Sequence, residues 1–153
     1  MTATSSRYVE APQHFPGGQP SVFLAGGITD CPDWQAEAAR MLAGVPAVVL
    51  NPRRPSFDVG DPVEAERQIR WEHAHLGRAA VVLFWFAQGP SPQPIALYEL
   101  GAMAATGRTI VVGTHPGYPR RIDVRIQLGL SRPELAVHDT LADTVAAAVT
   151  ALG

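Results

Sequence analysis

The chain has no lysine: all twelve of its basic residues are arginine. Chemistry that needs a lysine, such as a Schiff base or a phosphate-binding P-loop, is therefore excluded. A single cysteine, Cys31, rules out an intrachain disulfide and a cysteine-rich zinc site. The net charge is −2, from twelve basic and fourteen acidic residues, which is not the basic surface of a general nucleic-acid binder. No apolar run reaches about 18 residues, so no membrane-spanning helix is expected. The N-terminus lacks a charged-then-apolar leader pattern, and the expected location is the cytoplasm. Gly26-Gly27 is not a GxGxxG fingerprint, and there is no serine elbow of the GxSxG kind. His73 and His75 stand two apart on an expected helix, so their side chains diverge and make a poor metal pair. No metal and no cofactor are expected.

What is present is ample core material. Hydrophobic residues make up 46% of the 153 positions and charged residues 17%, which suits one ordinary domain. Residues 1–20 carry Ser, Thr, Gln, Gly and Pro without periodicity and read as a loose arm, with the domain proper at 21–153. Ser21–Ala25 (SVFLA) reads as a buried strand ending in the tight turn Gly26-Gly27. Asp33 to Gly44 places Trp34, Ala38, Met41 and Leu42 at helical spacing. Pro46–Leu50 (PAVVL) is a second strand. Asp61-Pro62 is a helix start, a capping acid followed by proline, and that helix should run to about Leu76. Ala79–Phe86 (AAVVLFWF) is apolar throughout, as a central parallel strand is. A Pro-rich loop at 88–94 leads to a helix over Ile95–Thr106. Thr109–Gly113 is the fourth strand, Thr114–Arg121 a loop and Leu135–His138 a weak fifth strand. Thr140 caps a closing Ala-rich helix.

Strands alternating with helices predict an α/β fold, a doubly wound five-stranded parallel sheet with helices on both faces. With the flavodoxin-like order 2-1-3-4-5, ligands bind where the strand order reverses, between the first and third strands. Gly26, Gly27 and the 87–99 segment fall there, flanked by the 51–58 loop.

Several residues near that crevice can do chemistry. Glu99 lies among apolar neighbours near the start of its helix, where the helix dipole favours a carboxylate. A carboxylate held in a cleft is a nucleophile toward a sugar carbon, although Glu99 also reads as a solvated helix glutamate. Glu72 is a second carboxyl that can act as general acid or bind a hydroxyl, or simply pair with Arg67 or Arg70. Asn51, Arg53 and Arg54 follow the second strand and suit a phosphate or carboxylate, or else loop capping. Arg120, Arg121 and Arg125 beside Asp123 form a second basic cluster, either a phosphate grip or a subunit contact. Phe23, Trp85 and Phe86 are candidates for stacking on a planar base, with core packing as the plain alternative. Alternation puts Trp85 and Phe86 on opposite faces.

Taken together, these pieces resemble the nucleoside 2-deoxyribosyltransferase-like family. The matching segments are Val22-Phe23-Leu24-Ala25-Gly26-Gly27-Ile28, Leu50-Asn51-Pro52, the apolar strand 79–86, and Tyr98-Glu99-Leu100-Gly101-Ala102-Met103-Ala104 followed by Gly107-Arg108-Thr109-Ile110-Val111-Val112. The resemblance covers roughly residues 21–130. It implies that Glu99, in the ELG motif, attacks the anomeric carbon and forms a glycosyl-enzyme intermediate, after which a second base or water takes the sugar. A family aspartate that helps protonate the base falls on Glu72. A family asparagine donated by a neighbouring subunit falls on Asp123, which implies a homo-oligomer with shared active sites. Where the classical transferases carry an aspartate six residues before the nucleophile, this chain has Gln93, which keeps hydrogen bonding without the charge. Related members hydrolyse nucleoside monophosphates, and arginines 53, 54, 120, 121 and 125 would suit a 5′-phosphate. The resemblance thus implies a small-molecule nucleoside or nucleotide as substrate. A non-catalytic module of the same fold, sensing a nucleotide or an ADP-ribose-like ligand, is the alternative.

Overall fold

The computed structural model describes residues 7–55 and 60–153. In chain order the described elements are β1 (Arg7–Glu10), β2 (Ser21–Ala25), α1 (Trp34–Met41), β3 (Val48–Asn51), α2 (Pro62–Arg78), β4 (Val81–Phe86), α3 (Pro94–Ala105), β5 (Ile110–Thr114), α4 (Arg121–Ser131), β6 (Val137–His138) and α5 (Leu141–Leu152). The strands form one sheet in the order β1-β3-β2-β4-β5-β6, and every neighbouring pair is parallel. Apart from the added edge strand β1, this is the expected 2-1-3-4-5 order.

Strands β2, β3, β4 and β5 are buried at every position, which explains their unbroken apolar sequences: a parallel sheet covered on both faces leaves no polar side. Alternation divides their side chains between two cores. Phe23, Leu50, Phe84 and Phe86 pack against Trp71 and Leu76 of α2, Ala96 and Leu100 of α3, and Val124 and Leu128 of α4. Leu24, Val49, Leu83 and Trp85 pack on the other side against Trp34, Ala38 and Leu42 of α1 and its extension, and Leu141, Val145 and Ala148 of α5. The caps follow the sequence. Asp61 accepts from the Val63 amide at 2.9 Å, Thr140 from Asp143 at 3.1 Å and Asp33 from Ala36 at 3.2 Å.

Two elements correct the sequence-based reading. The N-terminal arm is not loose over residues 7–15. β1 pairs with β3 from Arg7↔Val48 to Glu10↔Asn51, and beyond it Phe15 is fully buried. Its anchors are polar contacts that no local pattern encodes. Trp71 donates its indole Nε1–H to the Gln13 carbonyl at 2.6 Å, and the Phe15 amide donates to His75 Nε2 at 3.1 Å. Residues 1–6 of the expected arm lie outside the described residues. The second correction is α4, because the sequence reading assigns no element to 122–134. Apolar residues alternate there at 122, 124, 126, 128 and 130, a strand-like period, yet only Val124 and Leu128, one helical turn apart, are buried.

Candidate active site

The reversal of strand order falls between β2 and β4, as the sequence places it. The turn after β2 is tightly built. A Cβ on Gly26 would stand 2.3 Å from the Trp85 carbonyl oxygen and 2.5 Å from Trp34 Cζ2. One on Gly27 would meet Cys31 Sγ at 2.5 Å and Gln93 Cγ at 2.6 Å. Every polar group of the Gly27 backbone is used. Its amide donates to Gln93 Oε1 at 3.0 Å, and its carbonyl accepts from Trp34 Nε1 and Gln35 Nε2, both at 3.2 Å.

Gln93 is therefore a clip. It is 4% exposed, and its Nε2 donates to the Ala87 carbonyl at 3.0 Å while its amide donates to Ser91 Oγ at 3.1 Å. Its φ is +54°, a left-handed conformation that costs a non-glycine residue about 1–3 kcal/mol and persists only where the surroundings enforce it. The Tyr118 hydroxyl donates to the Pro92 carbonyl at 2.6 Å and pins the same loop. Both ends of the Gln93 amide thus hold backbone. Gln93 joins the β2 turn, the end of β4 and the start of α3.

Helix α3 carries Glu99 and helix α2 carries Glu72 on the same side of the sheet. Both are half-buried. Burial and the nearby Glu72 charge push the Glu99 carboxyl up to about 8. Burial also raises Glu72, against a lowering by the hydrogen bond from Gln68. The helix dipole does not depress Glu99: the residue lies in the second turn of α3, and the dipole's reach ends within the first. Among the described residues no ion pair engages either glutamate. The arginines expected to pair with Glu72 are spent elsewhere, Arg67 on Glu64 at 2.9 Å and Arg70 on Glu66 at 2.8 Å. A half-buried carboxyl with a like charge nearby and no cation is held toward its protonated form.

The expected phosphate-binding arginines are otherwise occupied. Arg53 donates to the carbonyls of Pro32 at 2.8 Å and Cys31 at 3.1 Å, and to Gln35 Oε1 at 3.1 Å. It braces the loop before α1. Arg54 pairs with Glu64 at 3.0 Å. Arg121 and Arg125 converge on Asp139 at 2.6 and 3.0 Å, and Arg120 pairs with Asp123 at 3.3 Å. Asn51 accepts from the Arg53 amide at 2.9 Å and donates to the Tyr8 hydroxyl at 2.9 Å, which makes it a loop cap. Phe23, 1% exposed, packs against Trp71 with ring centroids 5.9 Å apart. Trp85 lies on the α1/α5 side, away from Glu99, while Phe86 lies on the Glu99 side against Tyr118. Part of the 51–58 loop, residues 56–58, lies outside the described residues.

Two cavities lie apart from the carboxyl pair. One of about 440 Å³ sits on the α1/α5 side among Trp34, Trp85, His115 and Asp139. The other, about 270 Å³, runs between α3 and α4 along Leu97, Leu100, Val124 and Leu128. Sequence reasoning misses Gln68, whose Nε2 donates to Glu72 Oε1 at 3.0 Å and to the Pro52 carbonyl at 2.7 Å. The i,i+4 spacing of Gln68 and Glu72 was the available signal. It also misses Gln35, a fully buried polar residue that ties Arg53 to Gly27.

A doubly wound parallel sheet with a clipped glycine turn at its switch point, and half-buried glutamates on the helices α2 and α3 of one face, defines a class of small-ligand α/β proteins. Within that class, a family model described as "nucleoside 2-deoxyribosyltransferase like" matches residues 19–118, and the chain belongs to this family. Membership makes the activity one of the glycosyl-transfer type, with small-molecule nucleosides as the substrate class. A comparison with curated proteins finds no match. Among the described residues no helix is long and apolar enough to cross a membrane.

Proposed function

We propose that the chain breaks the N-glycosidic bond of a nucleoside or nucleotide, passing the (deoxy)ribosyl group through a covalent intermediate on Glu99 to a second base or to water. The observation that carries this reading is the two half-buried glutamates on α2 and α3, neither of them ion-paired among the described residues. In the first step a Glu99 oxygen forms a bond to C1′. The C1′–N bond breaks, its electron pair goes to the base, and a proton from Glu72 neutralises the departing ring. In the second step the acceptor gives its proton to Glu72 as it displaces Glu99. The positive charge that develops at C1′ favours ionised Glu99, which burial disfavours in the empty site.

The test is chromatography of nucleosides and nucleotides incubated with the protein, with and without an acceptor base. Base release is expected, and its absence from every substrate of the panel overturns the proposal. The reactive form carries one proton on the two groups, with Glu99 ionised and Glu72 protonated, so kcat/KM is expected to be bell-shaped in pH, its acid limb set by the first ionisation and its alkaline limb by the second, each falling about tenfold per unit. Glu72→Gln should remove the alkaline limb and leave an acid limb set by Glu99 without the neighbouring charge, below pH 8, while lowering the maximum by about 10²–10⁴-fold through loss of the proton donor. A profile unchanged in both limbs would show that Glu72 is not the proton donor.

The shared-site oligomer implied by the resemblance is part of the same proposal. Large apolar side chains stand exposed on all three helices of the Glu99 side: Ile69 on α2, Tyr98 on α3 (78% exposed), and Ile122, Ile126 and Leu130 on α4 (72%, 58% and 77%). Isolated exposed apolar residues are ordinary, but several on adjacent helices suit a partner. A second copy covering this face would bring its own α4, with Asp123, near the neighbouring site. Light scattering after size exclusion should give a multiple of 16.3 kDa, and Ile126→Glu should shift it toward the monomer.

A further inference from the structure

Gln68 lies one helical turn before Glu72 and bridges two acceptors with a single nitrogen. Its Nε2 donates to the Pro52 carbonyl at 2.7 Å and to Glu72 Oε1 at 3.0 Å. These contacts fix the orientation of the amide, because both neighbours accept and only the NH₂ end can face them. Its own Oε1 is consequently buried without a hydrogen-bond partner among the described residues. A buried acceptor left unpaired is unfavourable, and its retention at a helix position beside a carboxyl pair points to a task other than stability. Pro52 closes β3 at the binding edge of the sheet, so the amide is anchored to the scaffold and does not drift with the helix surface.

The chemical consequence is an asymmetric carboxyl group. An oxygen that accepts an N–H bond takes the carbonyl role when the acid is neutral, which leaves the hydroxyl proton to the other oxygen. We infer that Gln68 is a positioning residue that holds Glu72 Oε1 as the acceptor and so assigns the transferable proton to Oε2, the atom that delivers it to the leaving base. The inference rests on the proposed glycosidic chemistry. The step balances within it. Glu72 Oε2–H gives its proton to a ring nitrogen, the C1′–N pair goes to the base, Glu99 bonds C1′, and Glu72 remains as a carboxylate whose Oε1 still accepts from Gln68. The Glu72 charge reaches Glu99, which in the proposed chemistry attacks C1′ in its ionised form.

A double-mutant cycle tests this on the full-length protein with the nucleoside it cleaves best. Gln68→Met and Gln68→Asn in the wild-type background should each lower kcat/KM by roughly 10–100-fold, part of the range that general acid catalysis supplies. In a Glu72→Gln background the same substitutions should change it by less than about threefold, because the group they act through is gone. With a pyridinium nucleoside, whose base departs neutral and needs no proton, the Gln68 variants should match the wild type. Equal losses in both backgrounds, or equal losses with the pyridinium substrate, would overturn the role of Gln68 while leaving the glycosidic reading intact. If the wild-type protein releases no base from any substrate, that reading fails and the inference fails with it. Retained thermal unfolding midpoints in both variants separate positioning from misfolding.

Discussion

Glu99→Gln is expected to abolish base release and to make the fold more stable above about pH 5. The loss should be on the order of 10⁴–10⁶-fold in kcat, the range seen when a nucleophile that cannot be replaced is removed. Gln preserves shape and hydrogen bonding but cannot form the acyl-type bond to C1′. No covalent sugar adduct should then appear by intact-protein mass spectrometry with a slow substrate, whereas the parent protein should show one. The stability gain follows from the raised carboxyl. Glu99 ionises near its ordinary value of 4.5 in the unfolded chain and at about 8 in the fold. The fold thus favours the protonated form, and stability is full below pH 4.5 and is lost as pH rises toward 8. Gln stays neutral throughout. Denaturant unfolding should place the variant about 2 kcal/mol above the parent at pH 9 and level with it at pH 4, less than the full linkage value because the group is partly solvated. A variant equally stable at both pH values, with base release intact, would remove Glu99 from the mechanism.

The second large effect is expected at Gly26→Ala. The added Cβ would sit 2.3 Å from the Trp85 carbonyl oxygen and 2.5 Å from Trp34 Cζ2. Neither neighbour can yield cheaply. The carbonyl belongs to the central strand β4, and Trp34 is 3% exposed with its indole N–H held by the Gly27 carbonyl. Overpacking of this kind costs about 3 kcal/mol, which for a chain of this size lowers the melting temperature by roughly 6–12 °C. Function should fall as well, because relief requires the β2 turn to move. Gly27 moves with it, Gln93 follows Gly27, and α3 with Glu99 begins at the next residue. Gly129→Ala is the control. Nothing lies within 4 Å of its Cβ position, and alanine in a helix should be neutral or stabilising by about 0.5–1 kcal/mol. Calorimetry of the two variants separates them, and a Gly26→Ala protein that melts with the parent would show that this turn is slack.

Much of the frame is legible in the residues because it depends on local pattern. The runs SVFLA, VVLFWF and TIVVG are apolar at consecutive positions, which only a doubly covered parallel strand tolerates. Asp61-Pro62 and Thr140 mark helix starts through bonds to residues two or three positions away. β1 is less legible, since of its four residues only Val9 is buried. α4 is misleading, since its apolar residues alternate while two positions one turn apart reach the core.

The candidate site divides along the same line. Glu99 and Glu72 are visible as residues, and the family likeness is visible in the ELG motif and the glycine turn, because these are short stretches of chain. That neither carboxyl has a cation, that Arg53 is spent on backbone carbonyls, and that Gln93 is a clip are not visible. The sequence alone determined the layer architecture, the four buried strands and the family, since hydrophobic runs, capping and short motifs act over a few residues. Tertiary structure alone decided which polar groups are satisfied, and by what, since arginine and glutamine side chains reach across elements whose spacing only the packed core sets.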